Sequence, residues 1–172
     1  MRAKNGNLRA PFVCRENMIK FLNVAIILLL CLMCVVGCFP RDDSLDNYYK
    51  ALPKAKKLIS VDISNNNLPD SVVDVYKDEY GAGYSIMVRF NGYHSDASNI
   101  IVGVSADNVV MGIVCVRYTD SIPLGESFEN CFVGKDLSGV ESVDLVAEVT
   151  ISSKAYRNAV ADAVKSAEIL SK

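Results

Sequence analysis

The chain has a single histidine, His94, and no tryptophan. No Cys-x-x-Cys pair occurs outside a hydrophobic run near the N-terminus, where Cys31, Cys34 and Cys38 lie. With so few imidazoles and thiols elsewhere, a metal site or an iron–sulfur cluster in the remainder is disfavoured. There is no Walker loop, no GxGxxG and no nucleophile elbow, so nothing points to nucleotide cradling or serine hydrolysis. The net charge is −2 and the basic residues form no stripe. Nucleic acid is therefore not an expected partner. No internal repeat or low-complexity segment is present.

What the sequence does have is one long apolar run. Residues Phe21–Phe39 read FLNVAIILLLCLMCVVGCF, with one asparagine and no charge. As a helix this run is roughly 28 Å long, close to a bilayer core. Arg2, Lys4, Arg9, Arg15 and Lys20 precede it, and Arg41, Asp42, Asp43 and Asp46 follow it. The excess of basic residues before the run predicts that residues 1–20 are cytoplasmic. Residues 21–39 are then a single-pass anchor in the cell membrane, with the C-terminal part on the outer side. Gly37-Cys38 also resembles a lipobox. Cleavage there would make Cys38 a lipid-bearing residue and the run a signal peptide, although 20 preceding residues are long for one.

Beyond the run, residues 40–70 read as a linker with a short amphipathic helix (Leu45–Leu58, broken by Pro53). Residues 71–172 read as the folded domain. Val72–Lys77, Tyr84–Phe90, Ile100–Val104 and Val109–Tyr118 have strand composition, separated by turn signals at Gly81–Gly83, Asn91-Gly92 and Ala106–Asn108. Gly103 and Gly112, inside strands, suggest a bulge or a close approach. Cys115, in an apolar strand, is expected as a buried free thiol, although an outer compartment would permit a disulfide with Cys131. From Thr119 to Val140 the chain reads as irregular. Tyr156, Ala159, Val160, Ala163, Val164 and Ala167 recur at helical spacing, with Ser152 or Ser153 as the N-cap. The class is α+β: a mainly antiparallel sheet crossed by a C-terminal helix.

Two segments have chemistry to offer. A helix N-terminus presents free N–H groups and partial positive charge, which suits a phosphate. Thr150 lies just before the expected cap, with its hydroxyl near the same spot. Ordinary capping explains the same residues. The loop Thr119-Asp120-Ser121-Ile122-Pro123-Leu124-Gly125 can bring backbone close to a flat ligand, or it can be a plain surface loop. Asp120, Glu126 and Glu129 have no evident basic or nucleophilic partner. His94 reads as an exposed loop residue.

The order of these elements resembles the FMN-binding domain family. Its members include the flavin-bearing, single-anchor component of the Rnf ion-translocating electron-transport complex and its counterpart in the sodium-translocating NADH:quinone reductase. Ala51-Leu52-Pro53-Lys54-Ala55 resembles the Leu-Pro-x-Ala segment after the family's anchor. Gly83-Tyr84, Gly92-Tyr93 and Val102-Gly103-Val104 are similar to its strand region. Asp120–Gly125 resembles its Glu-Thr-Pro-Gly-Leu-Gly loop, and Asp144–Thr150 with Ile151–Ala155 its flavinylation motif.

The resemblance implies FMN joined to Thr150 through a phosphoester by a flavin transferase. It places Leu124 and Gly125 near the ring and Ser152 and Ser153 near the phosphate, with Ser121 and Ile151 as further cofactor-binding residues. It also implies an electron-transfer subunit beside other membrane subunits of an electron-transport complex, rather than a stand-alone enzyme, and no metal. The alternatives are a lipid-anchored flavoprotein of extracellular electron transfer and a flavin-free binding or assembly subunit of the same fold. The family has Gly-Ala before the threonine, where this chain has Glu148-Val149. A glutamate disfavours positive φ, and its charge would lie near a phosphate.

Overall fold

The computed structural model describes residues 43–64 and 66–172, which fall in one compact unit. The run Phe21–Phe39, with Cys38, lies outside them. Among the described residues no helix is long and apolar enough to cross a membrane.

Five strands form one antiparallel meander: β1 (Leu58–Ser60), β2 (Val72–Asp78), β3 (Gly83–Asn91), β4 (Ala97–Ser105) and β5 (Val110–Arg117), paired in chain order. Four helices accompany them: α1 (Asp43–Ala51), α2 (Glu126–Asn130), α3 (Leu137–Glu141) and α4 (Thr150–Leu170). The α+β class with a mainly antiparallel sheet is as expected from the sequence. Residues 40–70 are expected from the sequence to be a linker with a short helix; their described part holds that helix, α1, and in addition the edge strand β1.

Alternation along the central strands sends side chains to two separate cores. Ile86, Val88 and Phe90 of β3 and Ile100, Val102 and Val104 of β4 face α4. There α4 buries Tyr156, Ala159, Val160, Ala163, Val164 and Ala167, the positions that repeat at helical spacing. Small alanines let the helix approach the sheet, and Tyr156 fills the end of the core nearest α2. Its ring packs against Phe90, Phe128 and Phe132 with centroids 5.5, 5.8 and 5.9 Å away.

The opposite face of the sheet is covered by α1. This helix ends just before Leu52-Pro53, because proline removes a donor and disfavours helical backbone in the residue before it. It buries Tyr48, Ala51 and Leu52 against Ile101. Burial of each large side chain contributes about 1.5–3 kcal/mol.

A row of small residues makes room for α1. Ser85, Gly103 and Gly112 are neighbours across β3, β4 and β5. The Ser85 hydroxyl donates to the Tyr48 carbonyl at 3.0 Å. A Cβ at Gly103 would collide with the Ala51 carbonyl oxygen, and one at Gly112 would come within 2.9 Å of it. The glycines are therefore needed for close approach. The register also shifts there: Gly103 faces Gly112 and Val104 faces Val110, leaving Met111 as an extra residue. A second shift leaves Val116 unpaired between Cys115 and Arg117. Two bulges twist β5, the long edge strand, away from flat pairing.

Asp78 joins the two ends of β1–β2. It is 1% exposed, and its carboxylate accepts N–H bonds from Lys56, Lys57, Tyr80 and Ala82 at 2.9–3.2 Å. Burial pushes its pKa up, but the four donors together outweigh that and hold it below the ordinary carboxylate range. The surface ion pairs Lys50–Asp46, Lys57–Glu79 and Lys165–Glu141 are all well exposed and add little.

Several readings of the sequence need correction. Helix α4 starts at Thr150 with Val149 in the cap position, so Ser152 and Ser153 lie inside its first turn and neither is the N-cap. Cys115 is free as expected, but it is exposed. It lies in the second half of β5, at the edge of the sheet. The stretch after Tyr118 contains the one-turn helices α2 and α3, too short to show a period. Asp136 caps α3, accepting from the Gly139 N–H at 2.8 Å. Strand β4 begins at Ala97, three residues before the apolar run, because buried Ser98 pairs with Thr119 at 3.0 Å.

Two outcomes test this architecture. Replacing Gly103 by Ala forces α1 off its seat and lowers stability by about 2 kcal/mol or more, read by chemical denaturation, whereas Gly81→Ala, with open space around it, carries only the strain of a positive φ. Asp78 has a depressed folded pKa, so its contribution is full above the unfolded value near 3.9 and is lost as pH falls through the folded value. Asp78→Asn lowers stability at pH 7 and flattens the acid limb of the stability–pH curve below about pH 4.

Candidate functional site

Three segments meet at one end of the sheet: the β3–β4 loop, the β5–α2 loop, and the chain entering α4. Asp120 ties them together. Its carboxylate accepts the His94 N–H at 2.9 Å and the Tyr93 N–H at 3.3 Å, and it also bonds the Ser152 hydroxyl. The buried Ser152 oxygen in turn accepts the Tyr93 N–H at 3.3 Å. A Cβ at Gly92 would overlap the Asp120 carboxylate, so the glycine is what lets the loop close over it. Thr119 sets Asp120 in place. Its N–H donates to Ser98 Oγ at 3.1 Å and its hydroxyl to the Asp96 carbonyl at 2.9 Å. Burial pushes the Asp120 pKa up. The His94 N–H, the Ser152 hydroxyl, the Tyr93 N–H and the charge of His94 outweigh it, so the net shift is downward.

The entry to α4 is also shaped by its sequence. Ala147 and Glu148 form a turn, and Glu148 has φ 68°. Among the described residues the other non-glycine residues at positive φ are Asn67 and Asn108, a type that tolerates it. Glu148 thus takes a backbone conformation that favours glycine, at a strain of about 1–2 kcal/mol. Val149 then turns partly inward onto the core. The buried Ser153 hydroxyl accepts the Val146 N–H at 3.2 Å and donates to the Thr150 carbonyl at 3.3 Å, fastening the turn to the helix. No side chain caps α4. The first-turn N–H groups of Thr150, Ile151 and Ser152 therefore have no side-chain acceptor.

These segments enclose a cavity of about 560 Å³. It is lined by Tyr93, His94, Asp120, Ser121, Ile122 and residues 148–152. Tyr93, Ile122 and Ile151 are 73%, 55% and 58% exposed. Three large apolar side chains left in water around one cavity mark a surface suited to a ligand. The His94 Nε2 atom lies 3.0 Å from Ser121 Oγ. Tyr118 backs the loop, donating to the Ile122 carbonyl at 3.1 Å.

Of the residues singled out in the sequence, Thr150, Ser121, Ile151 and Ser152 border the cavity. Thr150 is exposed, and among the described residues its hydroxyl makes one hydrogen bond, a long one of 3.5 Å to the Val146 carbonyl. Leu124 is buried in the α4-side core, Gly125 opens α2, and Ser153 points into the turn, so none of these three borders the cavity. Sequence reasoning passed over Tyr93 and Ile122 as binding residues and left Asp120 without a partner. The available signal was the Asn91-Gly92 turn followed by an aromatic, but two of the partners of Asp120 are backbone N–H groups, which no sequence pattern displays. Among the described residues no cluster of potential ligands could hold a metal ion.

Comparison of the chain with family models and with curated proteins finds no match. The fold and site together define an antiparallel α+β unit with an apolar-rimmed cavity at the N-terminus of its C-terminal helix.

If Asp120 closes the cavity, Asp120→Ala frees the Tyr93 and His94 amides. Their hydrogen exchange is expected to rise by at least about tenfold, while amides in β4 stay protected. Unchanged exchange at both amides would show that the loop holds itself without the carboxylate.

Proposed function

We propose that the chain is a membrane-anchored flavoprotein subunit that relays electrons through FMN held by a phosphoester on Thr150. In this reading it works beside other membrane subunits of an Rnf-like ion-translocating electron-transport complex and is loaded by a flavin transferase. The observation that carries this reading is the position of Thr150: an exposed hydroxyl on an apolar-rimmed cavity, at the uncapped N-terminus of a long helix.

The residues fit such a group. The N–H groups of the first turn of α4 and its partial positive charge suit a phosphate. Tyr93, Ile122 and Ile151 suit a flat aromatic ring. Flavin, when bound, supplies one- and two-electron transfer. The protein contributes binding, orientation and partial exclusion of water. Glu148 supports the reading in a specific way, because its positive φ preserves the turn for which the resembled motif uses glycine. The apolar run Phe21–Phe39 supports the anchor.

Co-expression of the full chain with a flavin transferase is expected to give a flavin-fluorescent band on a denaturing gel. Thr150→Val is expected to abolish it. Absence of fluorescence with intact protein present would sink covalent attachment, and a band that survives Thr150→Val would move the attachment elsewhere.

A further inference from the structure

The charges around the cavity are at odds with its proposed cargo. No lysine or arginine lines it, whereas Asp120 and Glu148 both do. Asp120 keeps its charge through neutral pH, since its pKa is shifted downward by its hydrogen bonds. Opposing these two carboxylates are the partial charge at the start of α4, about half a unit, and His94. A free phosphate monoester carries about −1.5 to −2 at pH 7. A phosphodiester carries a single negative charge. The helix N-terminus can offset much of one charge but not two beside two carboxylates.

We infer that this cavity accepts the uncharged ring of a flavin and rejects a free phosphate monoester, with Glu148 and Asp120 as the residues that set the preference. This rests on the flavin reading above and adds a specificity to it. Riboflavin is then the better reversible ligand and free FMN the poorer one. The FMN group arrives only as a phosphodiester, formed when the Thr150 oxygen, losing its proton, displaces a nucleoside monophosphate from the phosphoanhydride of a flavin dinucleotide bound by the transferase.

The test uses the full chain produced without a flavin transferase. Riboflavin and FMN are titrated separately at pH 8 and low salt, and binding is followed by quenching of flavin fluorescence. Riboflavin is expected to bind at least about fivefold more tightly than FMN. Glu148→Gln, which removes the charge and keeps the size, is expected to raise FMN affinity and leave riboflavin affinity nearly unchanged. Salt at 1 M, where the Debye length is about 3 Å, is expected to narrow the gap in the unmodified chain.

Equal or tighter binding of FMN overturns the inference. A gap that persists unchanged in Glu148→Gln and at high salt assigns the preference to size and overturns its charge origin. If neither flavin binds and Thr150 takes no label on co-expression, the flavin reading itself falls. If neither binds reversibly but Thr150 is labelled, the reading stands and the preference for riboflavin is overturned.

Discussion

The carbonyl of Ala51 rests directly on the Gly103–Gly112 pair, and much of the fold depends on this contact. A five-stranded meander has two faces, and both are apolar here. Seating α1 on one face leaves the other to α4. The helix can lie across β3 and β4 only because its buried stripe is mostly alanine and valine. That placement brings its N-terminus to the end of the sheet where the β3–β4 and β5–α2 loops emerge. The cavity thus follows from how the two faces were shared out. Bulges in β5 contribute too, since they turn the strand so that Thr119 and Asp120 reach back to the β3–β4 loop.

At the cavity the dominant element is a carboxylate used structurally. Asp120 holds loop amides together in the way a capping residue holds a helix end, and Asp78 does the same between the α1–β1 connection and the β2–β3 turn. In both, burial alone would favour the neutral acid, and several N–H donors keep the charged form. The two ends of the domain therefore share one device. The exposed ion pairs, by comparison, contribute little, so the loops are positioned by charge-assisted hydrogen bonds to backbone.

Much of this was legible in residue order, for identifiable reasons. Strands β2 to β5 and helix α4 carry long periodic patterns, and Gly103 and Gly112 stood out as glycines inside apolar strands. Strand β1 and helices α2 and α3 were not legible, because three to five residues cannot display a period. The start of α4 was misread because serines usually cap helices. Here Ser153 spends its hydroxyl on Val146 and Thr150, and Ser152 spends its own on Tyr93 and Asp120. Cys115 was misplaced because apolar alternation does not reveal which residues of an edge strand stay exposed. Within the site, Thr150 could be singled out from its neighbours. The closure by Asp120 could not, since two of its partners are main-chain groups from a loop 26 and 27 residues away.

Glu148 is where local and global demands conflict. A glycine or asparagine there would adopt φ 68° with less strain, as Asn67 and Asn108 do. The turn itself is needed, because it points Val149 inward and leaves Thr150 exposed at the mouth of the cavity. The side chain is not needed for the turn. It is exposed, it makes no ion pair among those found in the described residues, and it lines the cavity. Backbone strain and unfavourable charge thus fall on one residue, two positions before the hydroxyl on which the proposed chemistry depends.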